Sequence, residues 1–256
     1  MNKLNIGSNS FIGDDWLNLD NPSSRYGHEQ TKIDIELDLL GNPQFPLKNG
    51  AISAAYTSHT IEHLGDSHVK NMFYEVYRVL EPNGVFRVTC PDIRKLYDAY
   101  IKNDEEYVGR WLANPAAQPL FRSMGIGEQF VFSFASNLSP FSKRNEDLKR
   151  LTEGINPYRE EEITHIFKSK DREKALTYIT DECQRIAIHL QKSIPGNHVS
   201  WWDFDKIKNL MEHIGFSNVK RKQFNESEYE VLQNFDEKNR DSVVQKAYTV
   251  FVEAKK

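Results

Sequence analysis

Short apolar runs recur along the N-terminal third of this chain, and each ends on a turn-forming or polar residue. Lys3-Leu-Asn-Ile6 stops at Gly7, and Trp16-Leu-Asn-Leu19 at Asp20. Lys32-Ile-Asp-Ile-Glu-Leu37 stops at Asp38, Ala51-Ile-Ser-Ala-Ala-Tyr56 near Ser58, and Gly84-Val-Phe-Arg-Val-Thr89 at Cys90-Pro91. Each has strand length, and most are too apolar to leave one face in water, so they predict a parallel sheet covered on both faces. Between the last two, Val69, Met72, Phe73, Val76, Tyr77 and Leu80 recur at three- and four-residue steps, the pattern of a helix with one buried face. Glu81-Pro-Asn-Gly84 should stop that helix and turn the chain into the next strand. A strand–helix–strand unit of this kind crosses over right-handed, with its strands parallel.

Open parallel sheets bind ligands off the carboxyl ends of their strands. The residues just past each run are therefore the functional inventory: Gly7-Ser8-Asn9, Asp20, Asp38, Ser58-His59 and Cys90-Pro91-Asp92. A glycine after the first strand lets backbone approach a ligand, and the amides beyond it can hold anionic groups. A carboxylate ending the second strand can accept from both ribose hydroxyls, and one after the third can receive an exocyclic amine. Together they describe a nucleoside pocket. Blander roles exist for each: Asp20 as a helix cap, Asp38 as the start of a turn, His59 as a satisfied turn histidine.

Composition narrows the class. With 39% hydrophobic residues, 15 Phe and 11 Tyr among 256 residues, the chain can bury a real core. A net charge of −4 leaves no basic footprint for nucleic acid. There is neither an apolar run of membrane-spanning length nor a basic-then-apolar leader. Two cysteines, Cys90 and Cys183, are too few for a disulfide framework, so a reducing cytoplasm is the expected setting.

Several of these stretches carry a family resemblance. Leu4-Asn-Ile-Gly7-Ser8 followed by Trp16-Leu-Asn-Leu-Asp20 resembles the opening of bacterial class I S-adenosylmethionine-dependent methyltransferases. Asp38-Leu39, Phe45-Pro-Leu-Lys-Asn-Gly50, Ser58-His59-Thr-Ile-Glu62-His63-Leu64 and Tyr77-Arg78-Val-Leu80-Glu-Pro-Asn-Gly84 are similar to that family's following motifs in the same order. Gly196-Asn-His198, Leu210–Val219 and Tyr248–Ala254 resemble its closing segments. The resemblance covers roughly residues 3–95 and 196–256. It implies a Rossmann-like sheet, mostly parallel, with seven strands and the last inserted antiparallel beside strand five. It implies S-adenosylmethionine as cofactor, held by Gly7, Ser8, Asn9, Asp20, Asp38, Leu39, Ser58 and His59, with Ser58 and His59 against its methionine part. One departure stands out: in Gly7-Ser8-Asn9-Ser10 the usual second glycine is absent, and the next is Gly13.

His59-Thr-Ile-Glu62-His63 also spells H-x-x-E-H, the signature of inverted zinc peptidases. Those enzymes carry the motif on a longer helix and need a further ligand, for which Cys90 is the conceivable residue. A short motif matches by chance too often to outweigh its setting. Glu62 and His63 are expected to brace the turn after strand four, with no metal.

The domain plan that follows is a core of residues 1–95 and 196–256 interrupted by a mainly helical insertion, 96–195. In the insertion, Asp92 should cap a helix facing Ile93, Leu96, Tyr97, Tyr100 and Ile101 inward. A second helix from about Asp171 to Lys192 aligns Ala175, Leu176, Ile179, Cys183, Ile186, Ala187 and Leu190. Phe121, Phe130, Phe132, Phe134 and Phe141 mixed with small residues suit either a substrate lid or a helical subdomain packing on the sheet or on a dimer partner. Past the insertion, His198 is a second candidate base, with Trp201 or Trp202 as an apolar wall or as core, and Asp203 caps the next helix.

The resemblance implies methyl transfer to an oxygen or nitrogen of a small acceptor and, since relatives with this opening accompany surface-glycan biosynthesis, first a sugar or nucleotide sugar of polysaccharide biosynthesis. His59 and His198 are the catalytic candidates. A nucleotide-sugar or nicotinamide enzyme, and a methyltransferase-fold scaffold without activity, are the rival readings.

Overall fold

Alternation along the apolar runs decides how the sheet is used. The computed structural model describes residues 2–7, 15–22, 33–110, 118–144, 146–238 and 243–256. Its strands are β1 (Asn2–Ile6), β2 (Trp16–Asp20), β3 (Ile35–Glu36), β4 (Ile52–Ser58), β5 (Leu80–Pro91), β6 (Ser217–Lys222) and β7 (Thr249–Lys255). They form one sheet in the order β3-β2-β1-β4-β5-β7-β6. β1 pairs in parallel with β2 and β4, as do β2 with β3 and β4 with β5; β7 runs antiparallel to both β5 and β6. This is the Rossmann-like, mostly parallel seven-stranded sheet that was expected, with the last strand reversed beside β5.

The chain separates into two compact units, Met1–Pro91 with Trp202–Lys256, and Asp92–Trp201. In the first, Leu4, Ile6, Leu19, Ala55, Phe86, Val88, Val252 and Ala254 point to one side of the sheet, since successive side chains alternate. Helix α1 (Asp66–Val79) buries Val69, Met72, Phe73, Val76 and Val79 in that layer, and the helix Phe204–Ile214 adds Ile207, Met211 and Ile214. The Asp203 side chain accepts from the Lys206 amide at 2.9 Å and caps the second of these, as expected.

The other side of the sheet carries a row of polar residues in register: Asn18, Asn5, Tyr56, Arg87 and Glu253. All are buried. Arg87 donates to Asp236 at 2.5 and 2.9 Å, to Glu253 at 2.6 Å, and to the carbonyls of Glu226 and Gln223 at 2.9 and 3.1 Å. This cluster fastens residues 223–238 over the sheet, where Leu232 and Phe235 pack on Trp16, Ala54, Tyr56 and Val85.

Two expectations for this unit change. The ladder of β3 holds only Ile35 and Glu36, although the Leu37 amide still donates to the Asp20 carbonyl at 3.0 Å; Lys32 lies outside the described residues. Glu81-Pro-Asn-Gly84 is a bulge within β5 rather than a turn ahead of it. Leu80 already pairs with Ile52, and the next pairs are Ala54 with Val85, so five steps on β5 oppose two on β4. A Cβ at Gly84 would stand 2.9 Å from the Glu81 carbonyl oxygen, which explains the glycine.

In the second unit, α2 (Ile93–Ile101) buries Ile93, Leu96 and Ala99. Ile101, expected inside, is 59% exposed, because the stripe through residues 93, 96 and 99 winds away from it. Asp92 stands at the N-cap position but makes no side-chain cap hydrogen bond. The helix Arg172–Ala187 is capped by Asp171 and buries Ala175, Leu176, Ile179, Cys183 and Ala187; residues 188–192 tighten into a 3-10 turn.

The phenylalanine-rich stretch supplies this unit's own interior. Phe121, Phe130, Phe134 and Phe141 are buried, and Phe130 lies within 6.1 Å, centroid to centroid, of Tyr97, Tyr100, Phe134 and Phe167. The interleaved serines are small enough to enter that core because each hydroxyl finds a carbonyl: Ser133 donates to Phe130, Ser136 to Phe132 and Ser139 to Glu128. Gly125 and Gly127 make room for the Glu160 carboxylate, which accepts from the Gly127 and Glu128 amides. A Cβ at Gly125 would lie 2.2 Å from its Oε2.

Candidate functional site

Because β1 is flanked by β2 and β4, the carboxyl ends of these strands bring Gly7 between Asp20 on one side and Ser58-His59 on the other. Gly7 has φ +66 and its amide donates to the Leu19 carbonyl at 2.9 Å, closing the β1–β2 ladder. A Cβ there would meet Thr60 Oγ1 at 2.2 Å and Cγ2 at 2.8 Å. Both the backbone conformation and the packing therefore require glycine. Ser8 and Asn9, the next candidates for holding the cofactor, lie outside the described residues.

Asp20 ends β2 half-buried, its Oδ1 accepting from the Asn21 amide at 2.7 Å. Asp38 follows β3 and caps the 3-10 turn Leu39–Gly41, accepting from the Leu40 amide at 3.0 Å. Leu39 packs at the edge of the apolar core. Both carboxylates sit at strand ends and each uses an oxygen for a local amide. Such contacts orient a carboxylate.

β4 ends at Ser58, whose Oγ accepts from Thr89 Oγ1 at 2.8 Å. His59 then takes φ 49, a left-handed conformation uncommon outside glycine and asparagine. Its amide donates to the Thr89 carbonyl at 2.9 Å. The ring is bonded at both nitrogens: Nδ1 to Glu62 Oε1 at 3.1 Å and Nε2 to Thr249 Oγ1 at 3.2 Å. The Glu62 carboxylate is a pure acceptor, so Nδ1 carries the proton and Nε2 receives the Thr249 hydroxyl in the neutral ring. The His59 side chain is 17% exposed, that of Glu62 2%.

His59 and His63 do not share a helix. Ile61–His63 is one 3-10 turn and His59 precedes it in left-handed backbone. The two imidazoles thus lack the one-turn helical spacing of the zinc-peptidase motif. Cys90 is a buried member of the apolar core. Trp202 is core as well, its Nε1 donating to the Ile61 carbonyl at 3.2 Å, and Trp201 is buried in the second unit with Nε1 on Thr177 Oγ1 at 3.3 Å. Neither forms an open apolar wall.

His198 belongs to the second unit, where its Nδ1 pairs with the Ser133 carbonyl at 2.6 Å and its amide donates to Ser136 Oγ at 3.0 Å. A carbonyl can only accept, which places the proton on Nδ1 and the basic lone pair of the neutral ring on Nε2.

Thr60 and Thr249 escape sequence reasoning. Thr60 shapes the Gly7 turn, and Thr249 reaches His59 from 190 residues away through the Pro91–Thr249 register of β5 and β7. No local pattern marks either.

No protein-family model matches this chain, and no curated protein does. Solved structures do. An Archaeoglobus fulgidus SAM-dependent methyltransferase is 12% identical, with 100% of this chain and 86% of that chain covered and a TM-score of 0.44. A Thermotoga maritima SAM-dependent methyltransferase, a possible histamine N-methyltransferase, is 13% identical over 100% and 82% of the two chains, with a TM-score of 0.41. One from Mesorhizobium loti is 12% identical over 100% and 90%, with a TM-score of 0.39. At these identities and TM-scores nothing about this chain's activity follows from the likeness. Among the described residues no helix is long and apolar enough to cross a membrane.

Proposed function

We propose that this protein transfers a methyl group from S-adenosylmethionine to an oxygen or nitrogen of a small acceptor. The observation that carries the reading is the order of chemical groups along the strand ends of the first unit. A glycine in left-handed backbone ends β1, carboxylates stand at the end of β2 and after β3, and a serine–histidine pair ends β4. These donors and acceptors fit the cofactor: Asp20 for the ribose hydroxyls, Asp38 with Leu39 for the adenine, and Gly7, Ser58 and His59 for the methionine part. The bound cofactor supplies a methyl on a sulfonium, already activated for transfer. The chain's task is to align the acceptor and to take its proton, and His59 and His198 are the two candidate proton acceptors.

A hydroxyl or amine of a sugar or nucleotide sugar is the first acceptor class, on the resemblance to surface-glycan-associated relatives. The reducing cytoplasm suits two cysteines whose side chains are both buried.

Calorimetric titration with S-adenosylhomocysteine tests the reading without an acceptor. Saturable binding near one to one supports it, and Asp20→Ala should weaken that binding at least about tenfold, the loss of a charge-assisted hydrogen-bonding group. Absence of binding at millimolar ligand, or normal affinity in Asp20→Ala, overturns the pocket in favour of a scaffold role.

A further inference from the structure

Glu62 and Thr249 both converge on His59. Three observations define the arrangement. Glu62 is buried at 2% exposure and spends Oε1 on His59 Nδ1 at 3.1 Å. Thr249, also buried at 2%, faces Nε2 at 3.2 Å from the first residue of β7. The His59 backbone is held in left-handed conformation with its amide on Thr89. A carboxylate, an imidazole and a hydroxyl thus stand in line, supplied by the turn after β4 and by the reversed strand.

We infer that Glu62 is a positioning residue that holds His59 as its Nδ1–H tautomer, so that Nε2 is the proton acceptor of the transfer, with Thr249 occupying Nε2 until an acceptor hydroxyl replaces it. The inference rests on the methyltransferase reading above. The acceptor's O–H bond breaks, the proton forms an N–H bond at Nε2, and the oxygen keeps the electron pair for the incoming methyl. The resulting imidazolium lies against the Glu62 carboxylate, where opposite charge and a charge-assisted hydrogen bond favour it. Thr249 keeps a place in the sequence of events: its hydroxyl oxygen can accept from the Nε2–H once the proton has moved. His63 brings a ring nitrogen within 4.8 Å of the Glu62 carboxylate and is the neighbouring titratable group that competes for it.

The arrangement differs from a purely bracing turn in one measurable respect. A bracing contact from Glu62 would fix the same tautomer, but only a base at Nε2 loses turnover, with ligand affinity kept, when that tautomer is lost.

The test is long-range ¹H–¹⁵N correlation on the full chain labelled at histidine nitrogens, at pH 8, with assignment by a His59→Gln control. The expected spectrum has His59 protonated at Nδ1 and unprotonated at Nε2. Glu62→Gln keeps an acceptor and should keep the tautomer, whereas Glu62→Leu should shift the ring towards Nε2–H. A wild-type ring protonated at Nε2, or a Glu62→Leu spectrum identical to wild type, overturns the inference. Should Glu62→Leu fail to fold, the wild-type tautomer and Thr249→Val decide: the valine should move the Nε2 resonance and leave Nδ1 protonated. S-adenosylhomocysteine titration of the same samples separates the two claims. Binding with the wrong tautomer sinks only the role of Glu62, and no binding with the right tautomer sinks the methyltransferase reading. With an acceptor in hand, kcat of Glu62→Leu should fall at least about tenfold while ligand affinity stays within about twofold.

Discussion

Replacing Gly7 by alanine is the sharpest probe of the strand-end geometry. At φ +66 an alanine occupies left-handed backbone at a cost of roughly 1–2 kcal/mol. Its Cβ would also overlap Thr60, at 2.2 Å from Oγ1 and 2.8 Å from Cγ2. Thr60 is not a flexible chain end that can swing aside. Its hydroxyl donates to the Ser58 carbonyl at 3.1 Å, with the Ile6 carbonyl at 3.4 Å. Forced overpacking of this kind costs about 1–3 kcal/mol more, so Gly7→Ala should lose about 2–5 kcal/mol in all.

Thr60→Ala alone should cost about 0.5–1.5 kcal/mol, the net worth of a hydrogen bond. In the double variant the clash is relieved, since what remains near the new Cβ is the Thr60 Cβ position at 3.1 Å. The two substitutions should therefore be less harmful together than their sum by about 1–3 kcal/mol, the overpacking term. Urea unfolding followed by far-UV circular dichroism reads all four proteins of the cycle. Additivity within about 0.5 kcal/mol would show that Thr60 is not what excludes a side chain at residue 7.

Other parts of the structure make separate predictions. Arg87→Met strands the buried Asp236 and Glu253 carboxylates and should cost about 3–5 kcal/mol by urea unfolding, whereas replacing all three together by apolar residues of similar volume should recover most of that. Burial pushes the Cys183 thiol up to about 12 and Cys90 is equally enclosed, so neither should react with a disulfide reagent at pH 8 until denaturant is added. Partial burial pushes the Glu75 carboxyl up, but the Arg78 guanidinium and the Phe45 amide more than offset it and hold it below its ordinary value. Its stabilisation is therefore present above the unfolded carboxyl's pKa of about 4.3 and lost as pH falls through the lower folded value. Glu75→Gln should be less stable than wild type at pH 7, with the gap closing below about pH 4.

The sheet was legible because its information is local. Leu4, Ile6, Leu19, Ala55 and Val88 sit in short apolar runs, and the groups that end those runs stand at the strand ends by construction. A helix cap reads the same way when the acceptor lies three residues from its donor, as at Asp203. What escaped depends on pairs far apart in the chain. Arg87 reads as one polar interruption of an apolar strand until Asp236, 149 residues on, is placed beside it. Nothing local marks why residues 125 and 127 are glycine until the Glu160 carboxylate fills the space they leave. The phenylalanines around them fit a lid or a packed subdomain equally in sequence, because composition does not say which apolar side chains face each other. The bulge at 81–84 reads as a turn for a related reason: a Pro-Asn-Gly sequence bends the chain in either setting, and only pairing with β4 distinguishes them.

His59 shows how the site's local strain is carried by the fold rather than by its own sequence. A non-glycine residue in left-handed backbone costs roughly 1–2 kcal/mol, and within Ser58-His59-Thr60 the Thr60 hydroxyl on the Ser58 carbonyl offsets only part of that cost. The compensation comes from the Thr89 carbonyl on β5, from Glu62 in the following turn and from Thr249 on β7. At about 0.5–1.5 kcal/mol net for each such bond, the three together contribute about 1.5–4.5 kcal/mol, of the order of the strain or above it. Two of the three partners lie on β5 and β7, the antiparallel pair that closes the sheet's register at Pro91 and Thr249. Reversal of the last strand thus has a chemical consequence: it presents the first residue of β7, rather than its last, at the carboxyl end of β5. A parallel seventh strand would begin at the opposite edge of the sheet, and the imidazole would lose its partner at Nε2.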